Sequence, residues 1–311
     1  MLCGILSLVL VLLSRQAVFP NISLQVRFYH GFSTGKKLLA ALAAGSAVFT
    51  LAACSSSDSD NAADGETTQI RVGTSPGPYS ELFREGIDPI LTEQGYEIDY
   101  TEFTDLRQAD VALSENDVDL NVDQHTAYMN VFNDETGSDL ANITDIPTVA
   151  TKIYSNDLKS LDDVADGQTV GIPADGSNQT RAFRLLIKLG WITVNEDADQ
   201  NLLTPSDIKD NPHNLDIQPM DSATIPRALG DLDWGVIPGS IAYSSQVDPA
   251  LALEEEDLTD DLILQAVTTE GQVDSDWAKA VAEAYRSEEF LDFVAEQNED
   301  NYWFIPESLQ K

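Results

Sequence analysis

The chain has 311 residues, 42% of them hydrophobic, which is enough for two compact domains or for one domain behind a long leader. It carries 17 Lys and Arg against 53 Asp and Glu, and four of the basic residues (Arg15, Arg27, Lys36, Lys37) fall in the first 53 positions, which hold no acid. So acidic a body repels nucleic acid and anionic membrane surfaces and suits a salty or extracellular setting, so no nucleic-acid partner is expected and any anion site must be local.

Residues 1–53 read as a leader. Leu2 to Leu13 is apolar but too short to span a bilayer. A tripartite unit follows: Lys36 and Lys37, an Ala-rich apolar run from Leu38 to Thr50, then small residues. The end, Leu51-Ala52-Ala53-Cys54, resembles a bacterial lipobox, with Cys54 as the lipidation site. Residues 54–68 make a Ser- and Asp-rich tether between that membrane anchor and the body. Cys3 and Cys54 are the only cysteines, so the body has no disulfide and no thiol chemistry. Three histidines (His30, His125, His213) argue against a His-cluster metal site.

Beyond residue 68 the pattern alternates. A strand at 69–73 ends in a Thr-Ser-Pro-Gly-Pro-Tyr turn, and a helix is expected over 79–92, weakened by Gly86 and Pro89. A strand at 96–103 and a helix at 105–115 come next. A strand at 118–122 is followed at once by Asp123-Gln124-His125 and a helix at 127–133. Residues 146–155 look extended, and Ser160 caps a short helical turn. Strands at 215–219 and 234–237 bracket a short helix at 224–229, and a strand at 262–268 precedes two amphipathic helices. Trp277, Val281, Ala284 and Tyr285 mark the first, and Phe290, Phe293 and Val294 the second. This alternation predicts α/β architecture, with parallel strands covered by helices.

The stretch QTVGIPADGSNQTRAFRLLIKLG, residues 168–190, organises the rest. A buried strand at 169–172 breaks at Pro173, a polar turn runs to Gln179, and a helix begins near Thr180 and stops at Gly190. Ligands in α/β folds bind outside the carboxyl ends of strands, and free N–H groups opening a helix favour an anion. Arg181, placed in the first turn, is suited to clamp a carboxylate. Four strand–helix turns, after Gly73, Val122, Ile172 and Ile237, are expected to share one crevice, as in a two-lobed binding protein.

The segments VGTSPGPYSE (72–81), EFTDLRQADVALSENDVDLNVDQHTAY (102–128), SLDDVADGQTVGIPADGSNQTRA (160–182), DIKDNPHNLDI (207–217) and IPRALGDLDWGVIPG (225–239) resemble the NlpA-type lipoproteins, methionine-binding components of ABC importers. The resemblance runs from about Arg71 to the C-terminal helices. It implies a two-lobed, type II periplasmic-binding-protein fold with lobe 1 at 69–150 plus 242–311 and lobe 2 at 151–241. It implies Asn178 and Arg181 as holders of an amino acid's polar head, with Gln124, His125 and Tyr128 facing them. It also implies a monomer that needs no cofactor and works with a membrane permease and a separate ATPase.

Three positions depart from the family pattern. Leu106 stands where an aromatic is usual, Asp123 where Phe is frequent, and Pro238 where an Asn is usual. Losing two aromatic walls removes apolar contact worth about 1–3 kcal/mol to a methionine thioether. A pocket-facing Asp123 must be solvated or paired, either with a cationic or hydroxyl group of a ligand or with a nearby Arg such as Arg107. Methionine or a close derivative, another polar amino acid or a small carboxylate are the ligands left open, with a surface adhesin as the reading from another class. No Gly-x-Ser-x-Gly, His-Glu-x-x-His or phosphate-cradling loop is present, and no nucleophile stands at a recognisable spacing from His125, so catalysis is not expected. Because the first apolar run duplicates the second, translation is expected to start downstream of Met1; N-terminal peptide mapping of the precursor should return nothing from residues 1–20, and such peptides would refute it.

Overall fold

The computed structural model describes residues 68–298 and 302–310. The predicted leader, the lipidation cysteine Cys54 and the tether to residue 67 lie outside the described residues. Among the described residues no helix is long and apolar enough to cross a membrane.

Strand β1 (Thr68–Thr74) leads into α1 (Pro78–Leu82), a π turn (Phe83–Ile87) and α2 (Asp88–Glu93), which together form one helical run. The π turn lies just before Pro89, which has no N–H to give; the Asp88 N–H reaches back five residues to the Phe83 carbonyl. Gly86 is there because a Cβ would meet the Phe293 ring at 2.8 Å. Then come β2 (Tyr96–Glu102), α3 (Leu106–Ser114), β3 (Leu120–His125), α4 (Thr126–Thr136) and β4 (Leu140–Asp145).

The chain crosses to a second sheet through β5 (Lys152–Tyr154), β6 (Thr169–Pro173), α5 (Gly176–Lys188), the small ribbon β7 (Thr193–Val194) and β8 (Ile208–Asp210), β9 (Asp216–Met220), α6 (Ile225–Ala228), β10 (Trp234–Ile237), α7 (Gly239–Ser244) and β11 (Ala252–Glu255). It returns as β12 (Leu264–Thr269) and closes with α8 (Asp276–Arg286) and α9 (Glu288–Gln297).

The first sheet has the order β2-β1-β3-β12-β4 and the second β11-β5-β10-β6-β9. In each, one strand runs against its neighbours: β12 against β3 and β4, and β5 against β10 and β11. Each is the first strand the chain lays down after a crossing. The other pairings, β1 with β2 and β3 and β6 with β9 and β10, are parallel, which directs their carboxyl ends, and the turns that follow, to one crevice.

Separate apolar clusters pack against each sheet. Ile70, Val72, Phe83, Leu120, Val281, Tyr285 and Phe290 pack between the first sheet and its helices. Val170, Ile172, Phe183, Leu186, Trp191 and Trp234 do so in the second, with the two indoles edge to face at 4.8 Å. The terminal helices place Val281, Ala284, Tyr285, Phe290 and Val294 inward as their spacing predicts.

Several expectations are corrected. Helix α5 begins at Gly176, four residues before the expected start, because Asp175 caps it by accepting the Asn178 N–H at 3.0 Å. Arg181 therefore sits in the second turn. Asp123-Gln124-His125 ends β3 instead of following it, and its pairing with β12 carries a bulge between Asn121 and Gln124. Strands β4 and β11 and helix α7 form where no element is expected; each is short, and β11 belongs to the second sheet although it lies beyond residue 241.

One polar contact is buried between α3 and β3. Gln124 Nε2 donates to Asp110 Oδ1 at 2.6 Å, while Asp110 Oδ2 and Gln124 Oε1 have no protein partner. A protonated Asp110 offers a donor where the carboxylate has none, and burial, followed by the Asp123 charge, raises the Asp110 pKa well above its usual value. The stabilising contribution is full below the unfolded-state pKa and is lost as pH rises through the raised folded-state value. Asp110→Asn, which mimics the protonated acid, should raise stability at pH 8 by about 1–3 kcal/mol and much less at pH 4; equal effects at the two pH values in denaturant titrations would refute the protonated pair.

Candidate ligand-binding site

A cavity of about 700 Å³ lies between the two sheets, lined from all four strand–helix turns, with Ser75 and Pro76, Asp123, Ala174 and Asp175, and Pro238 among its walls. Leu106, His125, Tyr128, Asn178 and Arg181 also line it. Of the residues singled out from sequence, Gln124 alone does not: between two cavity-facing neighbours on β3 it turns the other way, into the contact with Asp110.

Across the cavity the two sheets meet in a chain of hydrogen bonds. His125 caps α4: its Nδ1 accepts the Tyr128 N–H at 3.2 Å, which leaves the proton on Nε2, 3.4 Å from Asn178 Oδ1. That oxygen also accepts from Arg181 Nη1 at 3.1 Å, and Asn178 Nδ2 donates to Asp175 Oδ1 at 2.9 Å. Burial, then the Arg181 charge, lowers the His125 pKa to about 3, so the ring is neutral at physiological pH. With Nδ1 engaged and Nε2 protonated, His125 presents a donor and no free base to the site.

Arg181 is not an open cation. Its Nε donates to Glu256 Oε2 at 2.9 Å and its Nη2 to Glu256 Oε1, a bidentate pair whose side chains are 4% and 3% exposed. Burial alone would lower the Arg181 pKa, but the charge and hydrogen bonds of Glu256 outweigh it and hold it above its usual value. Glu256 Oε1 accepts the Thr151 N–H at 2.6 Å, and the Glu256 N–H donates to the Thr151 carbonyl at 2.9 Å. Thr151 and Glu256 lie on the two segments that cross between the sheets. The expected carboxylate at Arg181 is thus supplied from within; one Nη1 and one Nη2 proton remain for a ligand. The expected anion seat at the helix start is likewise taken by the Asp175 side chain.

Asp123 is 9% exposed. Its Oδ2 accepts from Ser75 N–H at 2.8 Å, Ser75 Oγ at 3.0 Å and Ser80 Oγ at 2.9 Å, and its Oδ1 lies 3.0 Å from the same Ser80 hydroxyl. Burial pushes its pKa up to about 6 against those bonds. Arg107 is not its partner: that guanidinium pairs with Glu135 at 3.0 Å. Tyr79 stands near both charges, its hydroxyl accepting the Val149 N–H at 3.1 Å, and burial keeps it protonated. Pro238 is the N-cap of α7, and the next residue must be Gly, since a Cβ at 239 would stand 2.6 Å from Val149 Cγ1 and 2.8 Å from the Ala150 carbonyl.

Glu256, Tyr79, Ser75 and Ser80 were not legible as site residues. Glu256 is the third of three consecutive glutamates in an acid-rich chain, Ser75 sits in a turn where serine is commonplace, and Ser80 is one residue of the first helix with nothing local to mark it. Among the described residues, no group of three or more His, Cys, Asp or Glu is placed to hold a metal ion.

The family model described as NlpA lipoprotein matches residues 70–306. The D-methionine-binding lipoprotein MetQ of Escherichia coli K12 is 28% identical over 227 residues, 72% of this chain and 83% of that protein. Among solved structures, a nutrient-binding protein from Burkholderia cenocepacia bound to methionine is similar at 30% identity and TM-score 0.71, over 76% of this chain and 99% of the other. A periplasmic substrate-binding protein of an ABC transporter from Coxiella burnetii is similar at 26% identity and TM-score 0.70, over 76% and 100%. The expected two-lobed periplasmic-binding-protein fold is therefore the fold observed.

Removing one partner of a buried ion pair strands the other. Glu256→Gln should destabilise the protein by about 3–5 kcal/mol, several times the effect of Glu135→Gln at the exposed Arg107 pair; similar midpoints for the two variants in urea unfolding would refute the assignment.

Proposed function

The chain belongs to the NlpA lipoprotein family, and from that membership we propose that it is the extracytoplasmic solute-binding component of an ABC importer, capturing methionine or a related amino acid and delivering it to a membrane permease. The observation that carries the reading is the cavity itself: about 700 Å³, walled by the turns of both sheets, with Arg181 and Asn178 on one side and His125 and Tyr128 on the other. That volume holds one small solute.

Each residue has a part in this scheme. The remaining guanidinium protons of Arg181 meet the ligand carboxylate. Asn178 is fixed by Asp175, His125 and Arg181 and sets the angle of approach, and Tyr128 and Leu106 cover the ligand's flank. Residues 69–150 and 242–311 act as one lobe and 151–241 as the other, with β11 carrying the second sheet slightly further. Closure joins the lobes through the contact of His125 with Asn178 near the ligand. The closed monomer, held at the outer face of a membrane by lipid on Cys54, presents itself to the permease, and a separate ATPase supplies the energy.

A protein that binds a solute in its folded state gains stability as RT ln(1 + [L]/Kd), about 2.7 kcal/mol at a hundred-fold excess over Kd. Thermal unfolding of the ligand-stripped body should therefore shift upward with methionine or another amino acid, and Asn178→Ala, which leaves the buried Arg181–Glu256 pair intact, should reduce the shift. An adhesin would show no shift with any of the twenty amino acids, and that result would overturn the importer reading.

A further inference from the structure

On the amino-acid-importer reading, we propose that Asp123 is the residue that sets the ligand specificity of this pocket, accepting a protonated amine of the ligand while Arg181 faces the ligand's carboxylate.

The case rests on how charge is balanced around the cavity. Two of the lining guanidiniums are neutralised from within or outside it, Arg181 by Glu256 and Arg107 by Glu135. The third, Arg227, is exposed at the rim. Asp123, by contrast, is buried and takes hydrogen bonds only from neutral donors, backbone N–H groups and two hydroxyls. Those bonds hold the carboxylate in place and shape the β1–α1 turn around it without cancelling its charge. They also load the two oxygens unequally. Oδ2 accepts from the Ser75 N–H and both hydroxyls, Oδ1 shares the Ser80 hydroxyl, and the Ser80 backbone N–H also acts on the carboxylate, which still leaves acceptor capacity on its two oxygens.

A buried carboxylate with spare acceptor capacity, on the wall of a cavity and with no cation beside it, is the counter-charge for a cation that arrives with the ligand. An alkylammonium fits: it is compact, carries three donors and gains most where water is excluded. Asp123, Arg181 and Tyr79 line the same cavity. A single small molecule carrying ammonium and carboxylate can therefore engage both charges. Asp105, Asp175 and Asp221 also line the cavity, but each caps a helix and is more exposed than Asp123.

The ammonium has two possible sources, the α-amine of any amino acid or the terminal amine of a basic side chain. Calorimetry on the ligand-stripped protein separates them with methionine, lysine, norleucine and the desamino analogue of each. With the wild type, either the amino acids should bind far more tightly than their α-desamino analogues or lysine far more tightly than norleucine; the absence of both differences overturns the proposal without need of a variant. Asp123→Asn should weaken ligands that carry the recognised amine about 10- to 100-fold and leave analogues lacking it within about two-fold. A loss shared by methionine, lysine and norleucine assigns the α-amine, and a loss confined to lysine assigns the side-chain amine. Amine binding that is insensitive to Asp123→Asn overturns the proposal and leaves the importer reading intact, whereas a wild type that binds no amino acid at millimolar concentration overturns both. The ligand-free variant should melt no lower than the wild type above pH 6, since it lacks a buried charge, and this separates lost recognition from lost fold.

Discussion

Arg181 and Glu256 join a helix of the second sheet to the segment that returns the chain to the first, and both are buried, so neither charge is tolerable without the other. The pair is the innermost rung of a larger contact. Along α5, Arg181, Arg184 and Lys188 recur at helical spacing and face the acids at the end of β11 and in the segment after it. Arg184 pairs with Asp261 at 3.1 Å, and Lys188 with Glu254 at 3.2 Å and Asp257 at 2.9 Å. The outer pairs are partly exposed and worth little individually. The inner one fixes the register, because Glu256 also binds the backbone of Thr151 on the other crossing segment. Both crossings and the base of the cavity are thus held by one carboxylate.

That arrangement decides what the pocket can ask of a ligand. A guanidinium already matched by an internal carboxylate offers directional hydrogen bonds with little net charge, so Arg181 orients a carboxylate more than it attracts one. The buried carboxylate of the lining, with no cation beside it, is instead Asp123, on the opposite sheet. Leu106 and Pro238 add apolar surface without the rings or the amide that the family pattern would place there. Relative to that pattern, polarity has moved from a side-chain amide after β10 to a carboxylate at the end of β3.

Much of this was readable before the fold was known. The alternating periodicity of strands and helices, the strand–turn–helix at 168–190 and the four crevice turns all follow from hydrophobic spacing and turn chemistry, which are local properties. The missed elements fail for the same reason: β4, β11 and α7 are short, and long-range pairing or packing makes them, as when β11 adds to β5 at the sheet edge. Asp175 read as part of a polar turn, yet its capping bond lengthens α5 by a turn and moves Arg181 inward. Gln124 resembled a pocket residue by its neighbours, but an intervening position on a strand faces away from them. Glu256 was unreadable because its partner lies 75 residues away. Pairing across that distance is a property of topology, and no local pattern distinguishes it from Glu254 and Glu255.

The acid excess noted at the outset has a kinetic meaning once the cavity is in view. A body with so many carboxylates draws a cloud of cations around itself and thins out anions within roughly 8 Å of its surface at physiological salt. A zwitterion feels little net pull in such a field but a strong torque, which turns its ammonium toward the protein and its carboxylate away. A solute already turned in this way enters the crevice amine first, so reorientation is no longer part of the capture step. Added salt weakens the torque, so this orienting effect depends on the ionic strength of the surrounding solution.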